Sequence, residues 1–374
     1  PVTMLRRYCQ GLAGLILLLL GASDLCAQAI RGRLLDASSG GPVAGALIVL
    51  LDSDGDEIGS TVTSARGTYH LSAPGAGVFR VRAERIGFEN SLSETITLRA
   101  GQTASREITA SSSAVVLPAL AVESDTECRV RPEEGYATYV LWEEARKALE
   151  ITEGTAAAYR FDAQMYQKHV NLWGQPLEEG EVQSVSYAGR HPFRSVSIDE
   201  LDEHGYARES PEGTYFYGPD AEVLLSDQFL DSHCFRYRTG KDGLTVGLAF
   251  EPTSEESDRV DVEGVLWLDR ESSLLRTLEF RYTGVDAPAQ LGTGPGPYGE
   301  VVFDQLPGGG WIIREWWIRT PTGSRERGMQ RYVTYAQQGG RVSHTERLGA
   351  SPGDMRPVPS VYGPPTTADS SGAP

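Results

Sequence analysis

Basic charge, cysteine and long apolar runs are all scarce in this sequence, and each shortage excludes something. There are 34 Lys and Arg against 51 Asp and Glu in 374 residues, a formal net charge of −17. A nucleic-acid partner is excluded on that ground, because phosphate binding needs a basic face. The acidity reads as a soluble, self-repelling surface. Only one long apolar run occurs, Leu12 to Leu20. It is shorter than the roughly 20 residues that cross a bilayer. No C-x-x-C, H-E-x-x-H, G-x-S-x-G or G-x-x-x-x-G-K-[ST] is present, so redox, zinc-peptidase, serine-hydrolase and phosphate-loop signatures are missing. None of the six histidines (70, 169, 191, 204, 233 and 344) has Glu three residues on.

That single apolar run has a specific meaning. Arg6 and Arg7 precede it and Ala27-Gln28-Ala29 follow it, the layout of a secretory signal peptide cleaved after Ala27 or Ala29. Residues 1–29 are thus expected to be a signal starting at Met4, with no transmembrane span after cleavage. The expected location is the periplasm or the outer membrane. Cys26 follows Asp24-Leu25 rather than small residues, so cleavage is favoured over lipidation. Removing the signal leaves Cys128 and Cys234, and in an oxidising compartment a disulfide between them is the default. It would close a loop of about 100 residues, worth roughly 4–5 kcal/mol in the chain-entropy model.

Residues 30–110 alternate short apolar stretches with turn residues. In "VFRVRAE", Phe79, Val81 and Ala83 alternate with Arg80, Arg82 and Glu84, the period of a half-buried strand. Turn signals recur about every ten residues, as in a β-sandwich. The glycines and aspartates of "LLDSDGDEIG" fit this scheme, with Asp54-Gly55 as a tight hairpin turn. Asp52, Asp54 and Asp56 match the start of a calcium loop. Glu57 and Thr63 occupy the positions where such a loop needs Gly and Glu. Turn chemistry is the reading, with no metal site and no cofactor assigned.

The strings "IRGRLLDASSGGPVAGALIVLLDSDG" and "STVTSARGTYHLSAPGAGVFRVRAERIGFE" resemble the carboxypeptidase regulatory-like domain. That resemblance implies a transthyretin-like Greek-key β-sandwich without catalytic residues of its own. Ser64 stands where the family's T-D-x-x-G-x-Y step has Asp. Family members accompany zinc carboxypeptidases, sugar-binding modules and TonB-dependent transporters. A peptidase lacks its histidine motif here. Some 250 residues after the sandwich are too few for a barrel of about 22 strands.

Residues 111–133 read as a linker. "YATYVLWEEARKALEIT" then spaces Leu141, Ala145 and Leu149 by four, flanked by Trp142 and Ala148, the stripe of a core-packed helix. From about residue 158 alternating runs return, and "VEGVLWLD" and "LLRTLEFRY" around "RESS" form a hairpin. The overall expectation is mainly β: the sandwich, one helix, then a curved antiparallel sheet across 134–350, with a tail at 351–374 rich in Pro, Ser and Gly. "GLAFEPTSEESDRVDVEGVLWLDRESSLLRTLEFRYTG" is similar to the lipoprotein-carrier half-barrel family, which implies an open lipid-holding groove. Trp267, Phe280, Trp311, Trp316 and Trp317 either line such a groove or fill an ordinary core, and the core is favoured. As a whole the chain resembles secreted bacterial proteins that carry a carboxypeptidase regulatory-like domain. "YGPDAEVLLSDQFLDSHCFRYR" and "GGGWIIREWWIRTP" extend that likeness through the second half.

The functional expectation is an exported, non-catalytic envelope protein that binds or scaffolds an envelope protein, a glycan or a lipid. A lipid carrier, a carbohydrate-binding module and a hydrolase are the alternatives. On the sandwich only Tyr69, Phe79 and Phe88 offer rings for a sugar. A hydrolase would have to assemble His191, His204 and His233 with Glu200, Glu203 or Asp231. Glu251, Asp258, Asp261 and Glu263 read as a solvated hairpin loop rather than an acid/base pair.

Overall fold

Residues 28–112, 136–171, 173–210, 213–253, 259–284, 296–322 and 334–348 are described by a computed structural model of the chain. Expectations for the signal peptide up to residue 27, the linker from residue 113 and the tail fall outside these residues. Eight strands build the first part: β1 (Gln28–Asp36), β2 (Leu47–Leu51), β3 (Glu57–Val62), β4 (Thr68–Ala73), β5 (Gly77–Glu84), β6 (Ser91–Leu92), β7 (Ile96–Leu98) and β8 (Thr103–Ala110). One sheet runs β4-β1-β8, with β1 and β8 parallel; the other runs β3-β2-β5-β6, with β7 against β5. Between them lies a core that includes Ile30, Leu34, Ile48, Leu50, Leu71 and Val81.

The Asp-Gly turn behaves as its chemistry demands. Gly55 has φ +96°, and Asp52 Oδ1 accepts from the amides of Asp54, Gly55 and Asp56 at 2.9, 3.0 and 2.9 Å. An oxygen holding three N–H groups is committed to the turn rather than to a cation.

Helix α1 (Tyr136–Ala158) follows. It runs beyond the apolar stripe read from sequence, because "TEGT" looks like a stop and is a contact instead. A side chain at Gly154 would press on Val62 Cγ2 and Leu47 Cδ1 at 3.1 and 3.2 Å. Three short helices were not anticipated: α2 (Ile198–His204), α3 (Ala221–Leu224) and α4 (Asp227–Ser232). Each spans only four to seven residues, too few for a periodic signal. Their legible mark is the N-cap: Ser197, Asp220 and Ser226 accept from the amides of Glu200, Val223 and Phe229.

Strands β9 (Tyr159–Val170), β10 (Glu181–Ala188), β13 (His233–Thr239), β14 (Thr245–Pro252), β15 (Asp261–Asp269), β16 (Leu275–Thr283), β17 (Tyr298–Gln305), β18 (Trp311–Thr322) and β19 (Thr334–Arg347) form one nine-stranded sheet. Its order is β10-β9-β19-β18-β17-β16-β15-β14-β13, antiparallel throughout. A separate pair joins β11 (Ala207–Ser210) to β12 (Gly213–Phe216). Helix α1 touches β9, β13, β14, β16 and β18. One helix reaches strands so far apart in the order only if the sheet curls around it. Among the described residues no helix is long and apolar enough to cross a membrane.

The two parts share a core. In β2, Leu47, Val49 and Leu51 belong to the same core cluster as Leu141, Ala148 and Leu149 of α1, while Ile48 and Leu50 belong to the core of the sandwich. Burial on both faces explains the unbroken run "LIVLL". The polar side of α1 is also covered. Glu144 Oε1 meets Lys147 Nζ at 2.8 Å, Glu144 Oε2 accepts from Gly87 N at 2.8 Å, and Lys147 donates to Phe88 O at 3.0 Å. Arg146 spans Glu84, Glu143 and Glu150 at 3.1, 3.2 and 2.6 Å. Breaking a buried pair from one side strands a charge, which costs about 3–5 kcal/mol. Urea unfolding should therefore show that loss for Glu144→Ala, and a smaller one for Glu144→Leu combined with Lys147→Met. Equal losses would mean that the pair does not clamp the domains.

Candidate functional site

A cavity of about 430 Å³ opens beside the β13 edge of the large sheet. Its walls come from α2 (Ile198, Leu201, Asp202), from α4 and the start of β13 (Phe229, Ser232, His233), and from Arg259, Val260 and Asp261 ahead of β15. The volume falls in the usual range for small-ligand sites, about 300–1,000 Å³.

His233 forms part of the floor and is 2 % exposed. Its ring stacks on Phe229 at 3.8 Å between centroids. Nδ1 lies 3.0 Å from Ser232 Oγ and 3.1 Å from the Phe229 carbonyl. Nε2 lies 3.1 Å from the Val262 carbonyl and 3.4 Å from Asp261 Oδ1. Serine, histidine and aspartate thus stand in the order of a hydrolytic relay. The surroundings disarm it. Each ring nitrogen faces a main-chain carbonyl as well as a side chain, so neither turns a lone pair to the cavity. Ser232 Oγ, at the end of α4, also reaches the Phe229 carbonyl at 3.3 Å. Thr253 directs both its amide and its hydroxyl to the Ser232 carbonyl. This is a pinned wall, suited to holding a ligand.

Tyr206 closes the back of the cavity at 4 % exposure. Its amide donates to Val260 O at 2.8 Å and its carbonyl accepts from Tyr217 N at 2.9 Å. Burial, with the carboxylates of Asp261 and Asp220 nearby, pushes the phenol well above its usual pKa, so the hydroxyl stays protonated.

The sequence had singled out His191, His204 and His233, and the fold separates them. His191 is fully buried against α1, its Nε2 2.9 Å from Thr152 O and its ring 5.1 Å from Phe161. His204 ends α2 in solvent, 3.9 Å from Glu203. Glu200 pairs with Arg208, and Asp231 is exposed. Of the carboxylates assigned to a solvated loop, Glu251 pairs with Arg236 and Glu263 with Arg281. Asp258 lies outside the described residues. Asp261 departs from that reading: it opens β15 and turns to His233. Neither Asp261 nor Tyr206 could be tied to His233 from spacing, since only the sheet edge brings their segments together.

The five aromatics do not share a groove. Trp311, Trp316 and Phe280 are 1 %, 0 % and 3 % exposed in the core beneath α1. Trp317, next to Trp316, points to the other face, 4.1 Å from the Arg319 guanidinium and 5.3 Å from Tyr298. Trp267 is half-buried on that same outer face. On the sandwich, Tyr69 and Phe79 are buried, which leaves the half-buried Phe88, with Arg85 over its ring, as the one of these three rings within a sugar's reach. Cys234 is buried; Cys128 lies outside the described residues.

A sandwich joined through a buried helix to a curled antiparallel sheet, with a polar cavity at the edge of that sheet, defines a two-part, mainly β protein. Its first part is identifiable: residues 29–111 match the family described as the carboxypeptidase regulatory-like domain. No curated protein matches the chain. Among solved structures it is similar to the group B streptococcus pilus 2b backbone protein, at 13 % identity over 23 % of this chain and 41 % of that one, TM-score 0.19. It is also similar to Klebsiella pneumoniae 5-hydroxyisourate hydrolase, at 18 % identity over 23 % and 86 %, TM-score 0.19. A third is a shaft pilin of Lactobacillus rhamnosus, at 8 % identity over 66 % and 94 %, TM-score 0.21. The match thus spans less than half of the pilus 2b protein. At these TM-scores none of the three bears on function.

His191 gives the fold a pH dependence. Burial depresses its pKa to about 4, aided by Arg194 and opposed by the Thr152 carbonyl. The unfolded chain therefore takes up this proton first as pH falls below about 6.5, and stability present above that pH is lost down to about 4. The loss is about 3 kcal/mol at full effect. Glu153 titrates in the same range with opposite slope, its pKa pushed up to about 7 by burial against the pull of Arg194. Comparing wild type with His191→Gln by urea unfolding at pH 7.5 and 4.5 cancels that contribution. The variant should lose less on acidification; parallel losses would remove His191 as the cause.

Proposed function

We propose that the chain is an exported, non-catalytic protein of the cell envelope, in which the sandwich is a rigid mount and the sheet domain binds. The observation carrying this reading is the polar cavity whose histidine has both nitrogens occupied: it offers a recognition surface and no free base. The regulatory-like domain at 29–111 supports it, since the resemblance gives that domain no chemistry of its own. Export rests on the signal-like N-terminus, and cleavage after Ala27 is the version that suits the fold. Ala29 is already buried in β1, paired with Ser72 and Thr103, so a later cut would clip that strand. Export to an oxidising compartment pairs Cys234 with Cys128. A lipid carrier is the weaker reading, because α1 fills the face that a lipid would occupy.

Native mass spectrometry of the chain expressed with its N-terminus and purified from a periplasm tests these points together. The expected product begins at Gln28, is two hydrogens light, and yields no lipid on organic extraction. A retained lipid would replace the binding module with a carrier, and a product that keeps residues 1–27 would remove export through this signal.

A further inference from the structure

The edge cavity has a composition that selects a ligand class. Tyr206 lines the cavity and is more than nine-tenths buried as a residue, and among the described residues its hydroxyl has no hydrogen-bond partner, though it is not one of the fully enclosed polar atoms. An unmet hydroxyl in such a place is a cost unless water or a ligand answers it. Around it the wall mostly accepts. The carboxylates of Asp202 and Asp261 accept, Arg259 brings a guanidinium that is already engaged, and the hydroxyls of Ser232 and Thr253 accept too, their own protons going to main-chain carbonyls. Leu201 and Pro252 supply apolar surface beside them.

Three ligand classes fit this wall poorly. Among the described residues of the wall, one guanidinium against two carboxylates leaves no surplus positive charge for a phosphate or carboxylate. Among the described residues no three His, Cys, Asp or Glu side chains gather to hold a metal ion. An acyl chain would strand the polar groups without partners. A ligand that donates and accepts on neighbouring atoms, while showing a C–H face to Leu201 and Pro252, satisfies all of them. Each hydroxyl of a sugar or inositol does both at once.

We infer that the cavity beside His233 is a binding site for a neutral, monosaccharide-sized polyol, with Tyr206 donating to a ligand hydroxyl. The inference rests on the binding reading above and names its ligand. His233 has a positioning role: it braces Asp261 and Phe229 and leaves the ligand to the residues around it.

Isothermal titration calorimetry of the purified mature chain tests it, with D-glucose, D-galactose, D-mannose, N-acetylglucosamine and myo-inositol as probes. Inorganic phosphate and putrescine serve as charged controls. At least one neutral probe should bind with Kd at or below about 1 mM. Tyr206→Phe should weaken that probe about tenfold, the size of one unreplaced hydrogen bond, with the melting temperature unchanged because the hydroxyl supports nothing in the fold. Asp202→Ala, on the exposed rim, should weaken it too and guards against a folding defect in the first variant. Heat from phosphate or putrescine alone would overturn the polyol and leave a binding cavity in place. Silence from every probe would overturn the polyol, while the binding reading stands or falls with the mass spectrometry above. Sugar binding that both variants leave unchanged would move the site away from this cavity.

Discussion

Helix α1 has to serve two domains at once, and the rest of the structure follows from that demand. Leu141, Ala145 and Leu149 belong to one core cluster with residues of the curled sheet and with Leu47, Val49 and Leu51 on the outside of the sandwich. A helix so enclosed cannot keep a free polar face. Glu144 and Lys147 are buried with each other and with the backbone of Gly87 and Phe88, which meets the hydrogen-bond needs of ions taken out of water. The sandwich is therefore not a tethered accessory. It covers one side of the second domain's principal helix, and its β2 strand belongs to both cores.

Curling the sheet around α1 sets where a ligand can go. The inner face is filled by α1 and by residues such as Trp311 and Trp316. Space opens instead at the β13 edge, where α2, α4 and the residues before β15 meet imperfectly. There the short helices place their polar ends in the cavity wall, and His233 links α4 to β15 through Phe229 O and Val262 O. The same contacts that fix the ring remove it from chemistry. A rigid wall lined by groups of both hydrogen-bonding roles is what recognition of a hydroxylated ligand requires.

Local periodicity made the sandwich legible: alternation in "VFRVRAE", the Asp54-Gly55 turn and the regular spacing of turn residues all reflect interactions within a few residues. The apolar stripe of α1 was legible for the same reason. Its extension through Gly154 was not, because that glycine answers to Val62 and Leu47 from another domain. The short helices escaped because four to seven residues carry little periodicity, leaving only their Ser and Asp caps as signals. "LIVLL" did carry a clue to the shared core, since an unbroken apolar run marks a strand buried on both faces.

By itself the sequence determined the elements whose causes are local: strands, turns, the main helix, and the absence of any motif that brings catalytic groups together along the chain. Tertiary structure alone decided that β2 and α1 would fuse two domains, and which of the alternating Trp316 and Trp317 would face the core. It also decided that Tyr206, His233 and Asp261 would meet at one cavity. The sheet behind these outcomes is assembled through long-range pairing such as β9 with β19, some 170 residues apart in the chain. No short window of sequence carries that information, because the energy that selects it is spread over a core drawn from both ends of the domain.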